Sequence, residues 1–186
     1  MSADHFLTAT GSHCLSCKHG PGKTLRHNYL NDIIYHSLRR AGIPATKEPA
    51  GLLRSDGKRP DGLTTVPWKA GKSAVWDVTV ADTLATSYLS STAVKAGSAA
   101  EIAASRKENK YAALSSDHIF VPLAFESPGP VGTKASSFLR ELGRRLIAAS
   151  DDTRESSFLF QRLSMGIQRF NAVCFSSSFR NSSDAD

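Results

Sequence analysis

The chain has 186 residues, 40% of them hydrophobic and 22% charged, an ordinary composition for a globular protein with one core. No stretch approaches the roughly 18 consecutive apolar residues of a membrane-spanning helix, and the first residues lack the features of a secretory signal, so we expect an intracellular protein, nuclear or cytoplasmic, with no membrane contact. The net charge of +6 favours a polyanionic partner such as DNA.

Residues 1–23 are rich in glycine, histidine, serine and threonine, which predicts an irregular segment. They contain Cys14 and Cys17 in the Cys-x2-Cys spacing that supplies half of a structural zinc site. No second cysteine pair follows, so two thiols in an irregular segment are the competing interpretation. The third cysteine is Cys174, and an odd number is typical of a reducing compartment.

The first half of the remaining chain predicts one helix and three strands. Residues 24–41 carry apolar side chains at helical spacing and end at a glycine, which predicts a helix. Three β-prone segments follow at residues 45–53, 62–68 and 73–80, and a Lys-Ala-Gly-Lys turn between the last two indicates a hairpin. Pro49 places the first segment at a sheet edge or a bulge.

The second half predicts three helices and one strand. Residues 98–114 are rich in alanine and charged residues, which have high helix propensity. An apolar run at residues 118–126, followed by a proline- and glycine-rich turn, predicts a fourth strand. Apolar spacing predicts helices at residues 133–149 and 154–174, and the serine-rich tail from residue 176 is expected to be disordered.

The predicted order is therefore a helix, three strands, a helix, a fourth strand and two C-terminal helices. Such an order builds an α/β (α+β) fold in which helices flank a mixed four-stranded sheet. We assign residues 1–23 to the irregular N-terminal segment, residues 24–175 to one folded domain and residues 176–186 to the tail.

Two aspartates fall on the predicted hairpin. Asp61 follows an Arg-Pro pair where the hairpin begins, and Asp77 lies within the apolar second strand. Carboxylates on neighbouring strands come close enough to share a cation, and oxygen ligands suit Mg²⁺ or Mn²⁺, which activate a bound water and offset charge on a phosphate. Taken singly, Asp61 is also explained as a turn residue, and Asp77 as a carboxylate hydrogen-bonded to a neighbouring loop.

Two lysines on the alanine-rich helix complete the set of candidate catalytic residues. Lys107 and Lys110 lie three residues apart and therefore project to one helix face. A lysine near a bound metal positions the attacking water or stabilises a pentavalent phosphate. The plainer interpretation is a solvated basic face that pairs with Glu101 or Glu108.

Seven short motifs are spaced along residues 11–175: His13-x3-Cys17, Arg26-His27-Asn28, Leu52 to Gly62 (LLRSDGKRPDG), Val75-Trp76-Asp77, Lys107-x2-Lys110-Tyr111, Phe120-Val121-Pro122 and Gln161-Arg162-Leu163-Ser164. In order and spacing they resemble the restriction-endonuclease-like, PD-(D/E)xK domains that follow the reverse transcriptase in some non-LTR retrotransposons. The resemblance is closer still to the C-terminal segments of reverse-transcriptase-like proteins in animal genomes.

The resemblance implies a restriction-endonuclease-like core that cleaves DNA to prime reverse transcription. It implies Asp61 and Asp77 as ligands of Mg²⁺ or Mn²⁺, with Lys110 or Lys107 as the catalytic lysine. Glu48, from the strand before the Arg-Pro-Asp turn, is a further acidic metal ligand in this assignment, or else a surface residue at a sheet edge.

Other residues are assigned to the surroundings of the site. We expect Arg59, Arg106 and Tyr111 to contact nucleic acid. His27 contacts a phosphate or a metal-bound water, or simply packs or caps at the first helix, and Glu126 lines the site or is a solvated strand end. Arginines of the last two helices track the DNA backbone, or form an ordinary helix surface with neighbouring acids.

Two departures from the family pattern keep other functions open. Thr79 stands two residues after the second acid, where the pattern has its lysine. His13 and Cys17 lack the cysteine pair that usually precedes them, which leaves an incomplete zinc site. The alternatives are a catalytically decayed, nucleic-acid-binding remnant of the same fold, and a helical protein-interaction domain with no role on DNA.

Overall fold

The structure is a computed structural model that describes Leu15, residues 21–53 and residues 56–180. Its elements in chain order are α1 (Pro21–Arg40), β1 (Ala45–Lys47), β2 (Gly62–Thr64), β3 (Ser73–Ala81), α2 (Thr86–Thr92), α3 (Ser98–Lys110), β4 (His118–Glu126), α4 (Thr133–Ser150) and α5 (Glu155–Arg180). Short 3₁₀ turns at Ala50–Leu52 and Ala112–Ser116 precede β2 and β4.

The four strands form one mixed sheet in the order β1-β2-β3-β4. The first three are antiparallel neighbours, and β4 joins β3 in parallel. α2 and α3 lie in the connection between these parallel strands, which is long enough for the crossover that parallel pairing requires. The α/β arrangement expected from the sequence, a mixed four-stranded sheet flanked by helices, is confirmed.

Different helices cover the two faces of β3. Ala74, Trp76 and Val78 belong to the main core, to which α1, α4 and α5 contribute buried apolar side chains. The opposite face carries Ala81 and packs against buried alanines of α3. Because side chains alternate along a strand, Asp77 lies on the α3 face, between two residues whose side chains enter the main core.

A buried polar contact fixes α1 against β3. The indole N–H of Trp76 donates to the side-chain oxygen of Asn31 over 2.8 Å, and both residues are buried. A buried indole N–H without a partner destabilises the folded state, so this bond helps to set how α1 lies on the sheet. It also brings His27, about one helical turn earlier, close to the strands.

β4 forms one edge of the sheet, and Pro122 lies at an outward-facing position of this strand. The Gly132 N–H donates to the Ala124 carbonyl over 2.9 Å from outside the sheet. Pro122 precedes Ala124 by two residues, so its backbone nitrogen points in the same outward direction. A proline here removes no hydrogen bond to β3, which explains why the strand contains one.

Several element boundaries differ from those predicted. The strand expected at residues 45–53 ends at Lys47, because Glu48 adopts a positive φ of 48° and a 3₁₀ turn follows. The hairpin strand expected to reach residue 68 ends at Thr64. The helix expected over residues 98–114 ends at Lys110, where the chain tightens into the second 3₁₀ turn.

The C-terminal helix and α2 also depart from expectation. α5 continues to Arg180, although a disordered tail was expected from residue 176. A helix extends easily past its last buried residue, because each further residue adds one backbone hydrogen bond. α2 was not predicted, and it buries no residue fully, so it lacks the apolar stripe that reveals a helix. Among the described helices, none has the length and apolar character needed to cross a membrane.

Candidate active site

Asp61 lies directly before β2, and its carboxylate binds the edge of β3. Its backbone N–H donates to the Trp76 carbonyl over 3.0 Å, and its Oδ2 accepts the Val78 N–H over 2.6 Å. Gly62 permits this approach, because a Cβ at that position would overlap the Trp76 ring. The Asp61 side chain is 16% exposed, so it is held by the backbone and still accessible to solvent.

Asp77 projects from the α3 face of β3 and pairs with a lysine of that helix. Its side chain is 5% exposed, and the Lys107 ammonium lies 2.6 Å from its Oδ1. An isolated charge in the interior is strongly destabilising, and this lysine supplies the partner. The Asp61 carboxylate therefore binds the backbone of β3 at Val78, the residue after Asp77.

His27, on α1, is a second group that holds Asp61. Its Nε2 lies 2.9 Å from Asp61 Oδ2, and its Nδ1 lies 3.2 Å from the Asn28 side-chain oxygen. The hydrogen bond to Asp61 raises the pKa of His27, while partial burial lowers it and the Asp77 charge raises it. Asp61 is the main cause of the raised pKa of His27, and the Asp77 charge adds a smaller effect.

Lys110 and Tyr111, at the end of α3, connect this helix to the turn before Asp61. The Lys110 ammonium donates to the Tyr111 hydroxyl over 2.8 Å, and this hydroxyl donates to the Arg59 carbonyl over 3.0 Å. Burial lowers the pKa of Lys110, and the Lys107 ammonium lowers it further. Tyr111 is 1% exposed, which leaves no ring surface for the contact with nucleic acid expected from the sequence.

Glu48, Arg59 and Arg106 present their side chains at the surface. Glu48 forms an ion pair with Arg59, and both side chains are exposed, an arrangement that fits the surface role considered for Glu48. Arg106 donates to the Tyr88 hydroxyl over 2.9 Å, which directs its guanidinium toward α2. Among the described residues, none of these three side chains forms a hydrogen bond or ion pair with Asp61 or Asp77, although the Glu48 backbone N–H donates to the Asp61 carbonyl over 2.9 Å.

Glu126, at the end of β4, is 1% exposed, so the expectation of a solvated strand end is wrong. Its Oε1 accepts the backbone N–H groups of Ala99 and Ala100 over 2.8 and 3.3 Å. These are first-turn amides of α3, which have no partner within the helix. Glu126 thus binds the start of the same helix whose last turns carry Lys107.

The arginines of α4 that we considered for DNA tracking are engaged within that helix. Arg144 and Arg145 both bind the Glu141 carboxylate and lower the pKa of Glu141 to about 2. The Arg145 guanidinium also lies 3.9 Å from the centre of the Trp68 ring. These contacts match the ordinary helix surface that was the alternative.

The two carboxylates suit a hard divalent cation. Mg²⁺ is commonly bound through one or two carboxylates, with waters and phosphate oxygens in its other positions, so Asp61 and Asp77 supply a sufficient share of ligands. Leu15 and residues 21–53 and 56–180 contain no group of three or more His, Cys, Asp or Glu side chains placed to hold a metal. His13 and Cys17, the expected half of a zinc site, lie outside the described residues.

A scan against protein-family models finds no match, and a search of the curated proteins finds no significant match. The function is therefore inferred from the chemistry of the site and from the sequence motifs.

Proposed function

We propose that this chain is a metal-dependent nuclease domain of the restriction-endonuclease-like class, derived from a non-LTR-type retrotransposon protein, which hydrolyses phosphodiester bonds in DNA. One observation carries the proposal: Asp61 accepts the N–H of the residue after Asp77, while Lys107 pairs with Asp77 over 2.6 Å. Two acids and a lysine from three separate segments thus contact or project from β3 at residues 77 and 78, and such groups suit metal-assisted phosphodiester hydrolysis.

Asp61 and Asp77 are the metal ligands in this proposal. Bound Mg²⁺ or Mn²⁺ lowers the pKa of a coordinated water and offsets charge on the scissile phosphate. His27 Nε2 and the Val78 N–H both bind Asp61 Oδ2, so they fix the orientation of that carboxylate before any ligand arrives. Preorganised groups of this kind need little rearrangement during the reaction.

Lys107 takes the role that the family pattern gives to a lysine at the position of Thr79. Thr79 shares a face of β3 with Asp77 but has no amine, whereas the Lys107 ammonium reaches Asp77 from α3. From there it is suited to hold the attacking water or to stabilise charge that develops on the phosphate. Lys110 contacts the Tyr111 hydroxyl, so we assign it a supporting role.

The second candidate function is nucleic-acid binding by a catalytically decayed remnant of this fold, and the ion pair between Lys107 and Asp77 favours it. An ammonium 2.6 Å from a buried carboxylate already neutralises that carboxylate, so the fold is stable there without a metal. The two functions differ in one property: in a live nuclease a divalent cation competes successfully with Lys107 for Asp77.

Metal binding and DNA cleavage by the full chain separate these functions. We expect the wild-type chain to bind Mn²⁺ in calorimetry and to cut plasmid DNA when Mn²⁺ is present. Asp61→Asn and Asp77→Asn lose cleavage by about 100-fold or more, because each removes a charged metal ligand. Asp117→Asn, which changes an exposed acid bonded to Ser116, serves as the matched control and retains cleavage.

The opposite result identifies the remnant. A wild-type chain that binds no Mn²⁺ and cuts no DNA, yet binds duplex DNA with an affinity that falls steeply with salt, contradicts the nuclease proposal. DNA binding without any salt dependence contradicts both functions and favours a protein-interaction domain.

A further inference from the structure

We infer that Tyr111 is a positioning residue of this site, whose hydroxyl joins α3, the helix that carries Lys107, to the turn that leads into Asp61. The inference rests on the proposed nuclease function. It goes beyond that function by giving a role to a buried residue that touches neither the phosphate nor the metal.

The turn before Asp61 has no regular secondary structure of its own. β2 begins at Gly62, and residues 56–61 contain no helix or strand. The backbone of Asp61 is held by bonds to β3 and to the end of β1. Two residues earlier, the Arg59 carbonyl accepts a hydrogen bond from the Tyr111 hydroxyl over 3.0 Å. A side chain at the end of α3 therefore holds this part of the turn.

Tyr111 is itself fixed by contacts of its backbone and of its ring. Its backbone N–H donates to the carbonyls of Lys107 and Glu108 over 3.0 and 3.2 Å, which attaches it to the last turn of α3. Its ring packs against Phe120 of β4, with centroids 4.9 Å apart, and the residue is 1% exposed. A buried aromatic with these contacts offers its hydroxyl at a fixed position.

The hydroxyl makes two bonds at once. It accepts from the Lys110 ammonium over 2.8 Å while it donates to the Arg59 carbonyl, and the ammonium also lies 4.4 Å from the ring centroid. A hydroxyl that accepts from a cation becomes a stronger donor. Lys110 therefore strengthens the bond that ties the Asp61 turn to the helix of Lys107.

The hydrogen bond from Tyr111 to Arg59 affects how Asp61 and Lys107 lie relative to each other. Asp61 belongs to the turn and Lys107 to the helix, and the Tyr111 hydroxyl is a direct hydrogen bond between those two elements. Catalytic groups have to be held within roughly 0.5 Å of the productive arrangement. A displacement of about 1 Å costs on the order of 100-fold in rate, so even a small relaxation of the turn is measurable.

Tyr111→Phe tests the inference, because it removes the hydroxyl and keeps the buried ring. Tyr88→Phe is the matched control: the Tyr88 hydroxyl also bonds to a cation of α3, Arg106, over 2.9 Å, but it binds no residue of the turn. For Tyr111→Phe we expect kcat of Mn²⁺-dependent cleavage to fall about 10-fold and the Mn²⁺ concentration for half-maximal rate to rise. KM for DNA and the thermal midpoint stay close to wild type, and Tyr88→Phe changes none of the four quantities.

Two results overturn the positioning role. In the first, Tyr111→Phe matches wild type in kcat and in Mn²⁺ dependence. In the second, its activity falls only in step with its thermal midpoint, which means that the hydroxyl serves stability alone. Failure of the proposed function looks different, because then the wild-type chain itself neither binds Mn²⁺ nor cuts DNA, and both proposals fall together.

Discussion

The two ends of α3 bind two buried carboxylates by different means. At its start, backbone N–H groups of Ala99 and Ala100 bind Glu126, and the helix dipole adds to the attraction. Near its end, the Lys107 side chain binds Asp77. Backbone amides cannot leave their carboxylate while the helix remains folded, whereas a lysine side chain can rotate into solvent. Glu126 is therefore held for as long as α3 is folded, whereas exchange of the Asp77 partner would require only that one side chain rotate.

The largest effect is expected from Glu126→Ala. The change leaves two buried amides of α3 without an acceptor, so we expect the free energy of unfolding to fall by about 3 kcal/mol. Urea denaturation measures this loss, and the difference from wild type is the same with and without Mn²⁺, because the ion stabilises both folded chains alike. Glu108→Ala, which removes an acid of α3 paired with the exposed Lys134, is the control and stays within about 0.5 kcal/mol of wild type. A difference between the Glu126 variant and wild type that shrinks when Mn²⁺ is added to both chains would contradict the comparison.

Lys107→Met is expected to have the next largest effect. It leaves the Asp77 carboxylate buried without its cation, which lowers the free energy of unfolding by about 2 kcal/mol, since the partly exposed lysine makes the pair weaker than a fully buried one. Saturating Mn²⁺ removes most of this difference from wild type, because the ion binds Asp77 more tightly where no lysine competes and therefore stabilises the variant more than wild type.

The control for this variant is Lys134→Met, which removes an exposed lysine paired with Glu108 and whose difference in stability from wild type is the same with and without Mn²⁺. The readout is urea denaturation with and without the ion. A Lys107→Met chain that Mn²⁺ fails to stabilise would show that Asp77 cannot exchange its partner, and would favour the decayed remnant.

The smallest effect is expected from His27→Gln, and it depends on pH. The pKa of His27 is raised above its ordinary 6.5, so its stabilising bond to Asp61 is fully present below about pH 6.5 and is lost as pH rises through the folded-state pKa. The side chain is 36% exposed, so we expect a difference from wild type below about 1 kcal/mol. Urea denaturation without metal, at pH 5.5 and pH 9, measures it, and a difference that is equal at both pH values contradicts this account.

The sequence was sufficient to place the two aspartates but not to choose between the two lysines. Asp61 directly precedes the first strand of a hairpin and Asp77 lies within the second, and the antiparallel pairing of these strands was predictable from the pattern alone. Lys107 and Lys110 share a helix face by spacing, yet Lys107 reaches Asp77 while Lys110 binds Tyr111. That division follows from the end of α3 at Lys110 and the burial of Tyr111, which helical periodicity does not specify.

Contacts between distant segments account for the rest of what was missed. The bond from His27 to Asp61 depends on how α1 lies on the sheet, which the pairing of Asn31 with Trp76 helps to set. The burial of Glu126 depends on where the crossover returns α3 to the end of β4. Short windows of sequence carry propensity and period but no information on such docking. The Arg-His-Asn run gave the one local sign that His27 has a role.

Pro122 bears on how the chain avoids association with its own copies. An unpaired sheet edge is a template on which another polypeptide adds a strand. Along the outward side of β4, Pro122 offers no donor, and two residues later the Ala124 carbonyl is already occupied by Gly132. An incoming strand would find matching groups over only a short part of this border, so Pro122 and the Gly132 bond together disfavour growth of the sheet from this edge into fibrils or mispaired dimers.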